Sequence, residues 1–185
     1  MSRRLHPAVA GAQPFQLSER DPDAPLFGSE EGRDRLEAIL SRYPTKRAAL
    51  LPLLGYAQEL HGWISTGDME EIAGVLELTP AYVWSVASFY TMYNKHPAGR
   101  HMIQVCTNIS CHLNGAPRVL EEFLEQTGTV EGETTEDGRF TVLEAECLGA
   151  CGFATAVQIN DAFHENVTPE RVAEILASLD GPESS

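Results

Sequence analysis

Positive charge is what this sequence is short of. Against 27 Asp and Glu it sets 13 Lys and Arg, for a net charge of −14 at pH 7. That balance argues against nucleic acid and anionic lipid as partners, because both are held through Lys and Arg. No apolar run approaches the roughly 20 residues that span a bilayer, so direct membrane insertion is not expected. The opening Met1-Ser2-Arg3-Arg4-Leu5 has the arginine pair of an export signal but not its apolar stretch, since His6, Pro7, Gly11, Gln13 and Pro14 interrupt it. Residues 1–28 are therefore expected to form a disordered tail, and the chain to be cytoplasmic. There is no Gly-x-Gly-x-x-Gly and no P-loop, so NADH and flavin are not expected to bind this chain by itself.

Two segments of different periodicity follow. Residues 29–95 read as a small helical bundle. Ser29 caps a helix with Glu30 and Glu31 in its first turn, and Leu36, Ile39, Leu40 and Tyr43 recur at the helical period. A second helix starts at Thr45, is kinked or shortened by Pro52, and ends near Gly62. A third carries Ile72, Val75 and Leu76. A fourth opens on Thr79-Pro80 and runs through Tyr90. Residues 96–181 read as an α/β layer in the order β-α-β-β-α, with strands at His101–Cys106, Phe140–Ala145 and Ala154–Ile159. Its helices open at Pro117 and at Thr168-Pro169. Thr168 is better taken as a helix cap than as part of a sequon. Residues 182–185 are a closing tail. The aromatic stretch Phe89–Tyr93, at the junction, suits either an intrachain core or a partner surface. Trp63 and Trp84 read as core or interface aromatics. The helix-turn-helix spelling of Ile72–Tyr90 has too few basic residues for phosphate contacts.

Cysteine is scarce as well, and the few there are sit close together. All four lie between 106 and 151, as Cys106-x4-Cys111 and Cys147-x3-Cys151, each pair in a loop after a predicted strand. Open α/β sheets place their ligands at such strand ends. In a cytoplasmic chain, paired thiols point to a metal or redox role rather than to structural disulfides. Four soft anionic sulfurs suit a [2Fe–2S] cluster. The loops Thr107–Ser110 and Leu148–Ala150 are expected to aim backbone N–H groups at the sulfurs, with Gly149 and Gly152 permitting close approach. Structural zinc stays open, although zinc sites favour the tighter C-x2-C knuckle absent here. Thiol exchange lacks its C-x-x-C. A Rieske centre fails because no histidine lies near Cys147 or Cys151.

The same residues resemble a known family. Val105-Cys-Thr-Asn-Ile-Ser-Cys111 and Glu146-Cys-Leu-Gly-Ala-Cys151 look like the 24 kDa subunit of respiratory NADH dehydrogenase, complex I. So do Lys46-Arg47-Ala48-Ala49, Val86-Ala87-Ser88-Phe89-Tyr90, Asp137-Gly138-Arg139-Phe140-Thr141 and Gln158-Ile159-Asn160-Asp161, and the likeness runs over about residues 33–180. The resemblance implies an α+β chain, a helical bundle before a thioredoxin-like [2Fe–2S] ferredoxin domain. It implies Cys106, Cys111, Cys147 and Cys151 as the ligands of one cluster. It implies FMN and NADH on a partner subunit, further iron–sulfur subunits of the peripheral arm as neighbours, and a position peripheral to the membrane. The matching subunit of an NAD-linked hydrogenase or formate dehydrogenase is the alternative within this chemistry; a zinc-stabilised adaptor is the alternative outside it. One departure stands out: the family's Ala-Pro after the last cysteine is Ala154-Thr155 here, which is expected to restore a backbone donor and loosen the loop.

Charge then sets an expectation for the potential. Residues 96–185 hold 4 basic and 15 acidic side chains, and Glu144 and Glu146 adjoin Cys147. One carboxylate at about 10 Å, at an effective dielectric near ~20, opposes an added electron by about 1.7 kcal/mol before screening, on the order of 70 mV. The cluster is predicted to have a low midpoint potential, close to that of the nicotinamide couple. A redox titration giving a clearly positive midpoint would contradict it.

Overall fold

A computed structural model describes residues 24–179. Residues 1–23 of the expected tail at 1–28, with the arginine pair, and the expected tail at 182–185 lie outside the described residues. The described residues fall into two compact units that divide between Pro97 and Ala98.

The first unit is helical. Helix α1 (Glu30–Leu40) starts where the Ser29 hydroxyl accepts the Gly32 N–H. A 3-10 turn over Lys46–Ala49 leads into α2 (Leu50–His61). Pro52 thus falls in the first turn of α2, where its missing N–H costs nothing, and Thr45 makes no side-chain cap. Helix α3 (Thr66–Leu76) opens on a capping box between Ser65 and Asp68, and α4 (Pro80–Phe89) on the Thr79 hydroxyl. Asp68 also meets His61 Nδ1 at 3.1 Å, both side chains buried. Leu53, Leu54, Ala57, Ile72, Val83 and Ala87 form the fully buried centre. The bundle begins earlier than the sequence suggests: Leu26 and Phe27 are buried, and their N–H groups donate to the Glu71 carboxylate at 2.8 and 3.0 Å. The expected tail boundary at 28 is therefore wrong. Within the Phe89–Tyr93 stretch Tyr93 is core, its hydroxyl donating to Leu51 O, whereas Phe89 and Met92 are exposed. Among the described residues no single helix is long and apolar enough to cross a membrane.

The second unit is a mixed sheet carrying helices. Strand β1 (His101–Cys106) runs parallel to β2 (Phe140–Ala145) and antiparallel to β3 (Val157–Ile159), which turns back into β4 (Ala162–His164), giving the order β2-β1-β3-β4. The short helix α5 (Ile109–Leu113) follows β1. Helix α6 (Ala116–Thr127) packs on β1, β2 and α7 (Pro169–Ser178). Val105, Val119, Phe123, Val142, Val157 and Val172 fill the space between them. The fold is the expected α+β class with two added elements. Strand β4 follows a two-residue Asn160-Asp161 turn, with Asn160 in the left-handed region at φ 49°. Helix α5 occupies what reads in the sequence as a flexible loop. Residues 154–156 are not strand. Thr168 makes no side-chain cap; its hydroxyl bonds Glu170 instead.

Two glycines give opposite tests of packing. A Cβ on Gly99 would lie 2.6 Å from the Phe140 carbonyl carbon, whereas one on Gly74 would meet nothing within 4 Å. Gly99→Ala is expected to cost about 2 kcal/mol. Gly74→Ala, inside α3, is expected to add about 0.5–1 kcal/mol. Urea melts of the two variants should move in opposite directions; a Gly99→Ala melt like wild type would show that the Phe140 backbone gives way.

Candidate metal centre

Strands β1 and β2 end level with one another, Cys106 opposite Ala145. Both cysteine segments therefore leave from one end of the sheet. Cys106 is fixed from both sides: its N–H donates to Ala156 O, and the next N–H, of Thr107, donates to Ala145 O, each at 3.0 Å. Asn108 then turns the chain into α5, its side chain accepting the Ile109 N–H at 2.9 Å. Cys111 sits in the middle of α5, at 1% exposure. On the other segment, Cys147 follows the end of β2 by two residues, after Glu146. Gly149, at φ 71°, folds its N–H back onto Cys147 Sγ at 3.4 Å. Cys151 starts a 3-10 turn, Cys151–Phe153. Cys147 and Cys151 are exposed, and all four cysteines are free thiols.

The structure brings Cys106 and Cys111 into side-chain contact and sets Cys151 near enough to act on Cys111 electrostatically. Cys147 enters none of these contacts. Cys106, Cys111, Ala116 and Ala156 make a small buried cluster, bordered by Leu148, Ala150 and Ala154. Burial pushes the Cys111 thiol up, the Ala156 backbone N–H on its sulfur pulls the other way, and the Cys106 and Cys151 thiols add to the rise. The Cys111 sulfur becomes an anion readily only if a cation is supplied beside it. Among the described residues no three His, Cys, Asp or Glu side chains converge on a single ion. A bridged diiron core asks less of each iron, two thiolates apiece. Two buried and two exposed thiols, flanked by backbone N–H groups at one sheet end, fit that donor requirement.

Several details differ from the sequence expectation. Of the two loops expected to supply N–H donors, Leu148–Ala150 does so through Gly149, while among the described residues no N–H of Thr107–Ser110 is bonded to a cysteine sulfur. Gly149 is needed for its backbone angle; an added Cβ on Gly149 or Gly152 meets nothing within 4 Å. Thr155 is 1% exposed, and its carbonyl takes the Val167 N–H at 2.9 Å. The Glu144 carboxylate accepts the Thr107 hydroxyl at 2.6 Å, which fixes one negative charge beside the residue after Cys106.

Residues 36–180 match the family of thioredoxin-like [2Fe–2S] ferredoxins, a span that takes in both units. The chain belongs to that family. A Rickettsia bellii protein named as a subunit of NADH-quinone oxidoreductase is 42% identical over 146 residues, covering 77% of this chain and 87% of the relative. The Thermus thermophilus NADH-quinone oxidoreductase subunit 2 is 41% identical over 153 residues, covering 81% and 84%. The resemblance read from the cysteine segments and helices is thus borne out. The fold recurs in an NAD+-reducing [NiFe]-hydrogenase in its H2-reduced state, with a TM-score of 0.64 at 21% identity over 72% of this chain. This chain spans 23% of that hydrogenase chain, and the likeness is one of fold.

Burial divides the thiols into two kinetic classes. In cluster-free, reduced protein at neutral pH, iodoacetamide is expected to label Cys147 and Cys151 at least about tenfold faster than Cys106 and Cys111. Peptide mapping after a timed pulse reads this, and equal labelling of all four would contradict the burial described.

Proposed function

We propose that this chain is an electron-transfer subunit of an NADH:quinone oxidoreductase, holding one [2Fe–2S] cluster on Cys106, Cys111, Cys147 and Cys151. It docks on a flavin- and NADH-binding subunit, with other iron–sulfur subunits nearby, on the cytoplasmic side and peripheral to the membrane. The observation that carries this reading is identity near 40% to named subunits of that enzyme, over spans that include helical and cysteine-bearing units alike.

A bound [2Fe–2S] cluster supplies one-electron storage at a fixed point. The chain's own residues supply the rest. Cys106 and Cys111 shield one half of the site from water, within the apolar wall of Ala116 and Ala156. Gly149 presents its N–H group to the Cys147 sulfur, which offsets negative charge there. Cys147 and Cys151 are exposed, and the cysteine-bearing segments also expose Ile109, Leu113 and Phe153, apolar side chains suited to a protein partner. The acidic unit raises the cost of each added electron and holds the site at low potential.

The matching subunit of an NAD-linked hydrogenase is the second reading, favoured by the shared fold alone. Anaerobic purification of the tagged chain from its source cells separates these. The expected outcome is two irons and two inorganic sulfides per chain, an S = 1/2 signal after dithionite reduction, and a co-purifying flavoprotein in membranes that reduce quinone with NADH. Hydrogen-dependent NAD+ reduction by the isolated complex would favour the second reading. Zinc without sulfide would end both. Cys111→Ala or Cys151→Ala should lose most of the iron while the helical unit keeps its far-ultraviolet signal; wild-type iron content in either would refute the ligand assignment.

A further inference from the structure

Thr155 buries a hydroxyl beside the apolar wall of the candidate site. A buried hydroxyl without a partner costs free energy, so where it bonds is informative. Its Oγ1 donates to two carbonyls at once, Cys111 O and Asn114 O, each at 3.4 Å. One is in the middle of α5 and the other is on its C-cap residue, so the hydroxyl ties the short helix to the loop before β3 at two points. The next residue, Ala156, packs with both cysteines of the first segment in the small buried cluster, and its carbonyl takes the Cys106 N–H at 3.0 Å. Residues 155 and 156 thus reach Cys106 and Cys111 through their backbones.

We propose that Thr155 is a positioning residue for Cys111: its shared hydroxyl bond to the Cys111 and Asn114 carbonyls fixes α5 and so holds Cys111 in the small buried cluster. This rests on the iron–sulfur reading above and adds to it a residue that is not a ligand. Losing the anchor loosens the Cys111 segment and frees Cys111 to leave iron. The proline expected at this position has no hydroxyl, so the contact is particular to the threonine found here.

The test uses the full chain loaded with its cluster under anaerobic conditions. Thr155→Val removes the hydroxyl at nearly constant shape, and Thr155→Ser keeps it. Thr155→Val is expected to release iron to a chelator about two- to five-fold faster, the worth of one net hydrogen bond. It should also show shifted EPR g-values. Thr155→Ser should match wild type on both. Should the valine variant fail to fold, Thr155→Ala against Thr155→Ser, which differ by one oxygen, reads the same contrast. Wild-type behaviour of the hydroxyl-free variant, or an equal shift in the serine variant, would overturn the proposal while leaving the cluster in place. A wild-type protein without inorganic sulfide would instead overturn the iron–sulfur reading, and this inference with it.

Discussion

The parallel pairing of β1 with β2 is the constraint from which the site follows. Antiparallel neighbours would send their following loops to opposite ends of the sheet; parallel neighbours send them to the same end. With Cys106 opposite Ala145, the segments carrying Cys111 and Cys147 must start side by side. A parallel pair needs a crossover, and α6 supplies it while covering the sheet with Val119 and Phe123. Packing of the core and assembly of the thiols are therefore one event. The unit cannot place β2 correctly without also bringing its last two cysteines to the end of β1.

What the strands do not supply is compensation for charge. Free thiols are tolerable in the small buried cluster, but thiolates are not, and Cys111 is held above its ordinary range by burial and by its thiol neighbours. Loading a cationic core is thus linked to deprotonation of the site, as it is for metal–thiolate centres generally. The same local field bears on electron uptake. Glu144, pinned by the Thr107 hydroxyl, and Glu146 in the strand-to-cysteine step both oppose added negative charge. The N–H group of Gly149, on the Cys147 sulfur, acts in the other direction at much shorter range. Because one set is long-range and screened and the other is in contact, the site's potential reflects a difference of two effects that respond differently to salt.

Much of this is legible in the sequence because it is encoded locally. Ser29 and Thr79-Pro80 are capping signals, and they mark helix starts found. The spacing of the cysteines relative to the strands points to the shared sheet end. The misses have different causes. Strand β4 is three residues long and rests on an Asn-Asp turn, too short for alternation to register. Helix α5 is five residues held by Asn108 and by tertiary contacts, so its propensity signal is slight. Leu26 and Phe27 read as tail because their anchor, Glu71, lies more than forty positions away. Thr155 stands out in the sequence only as a missing proline. The carbonyls that give its hydroxyl a purpose become neighbours only after β3 is paired.

Exposure supplies an argument about company. Ile109 and Leu113, one helical turn apart on α5, are 72% and 79% exposed, and Phe153 beside Cys151 is 51% exposed. Large apolar side chains singly exposed need no explanation, but these three lie on the two segments that carry cysteines, α5 and the Cys151–Phe153 turn. A carrier that met many partners in solution would gain from polar surface there that sheds each quickly, as weak redox encounters do. Exposed apolar side chains on the cysteine-bearing segments instead favour lasting burial, which lowers the local dielectric and keeps water from the exposed sulfurs. On the proposed reading the flavoprotein provides that cover, so half of the site's insulation is built into this chain and half is supplied by assembly.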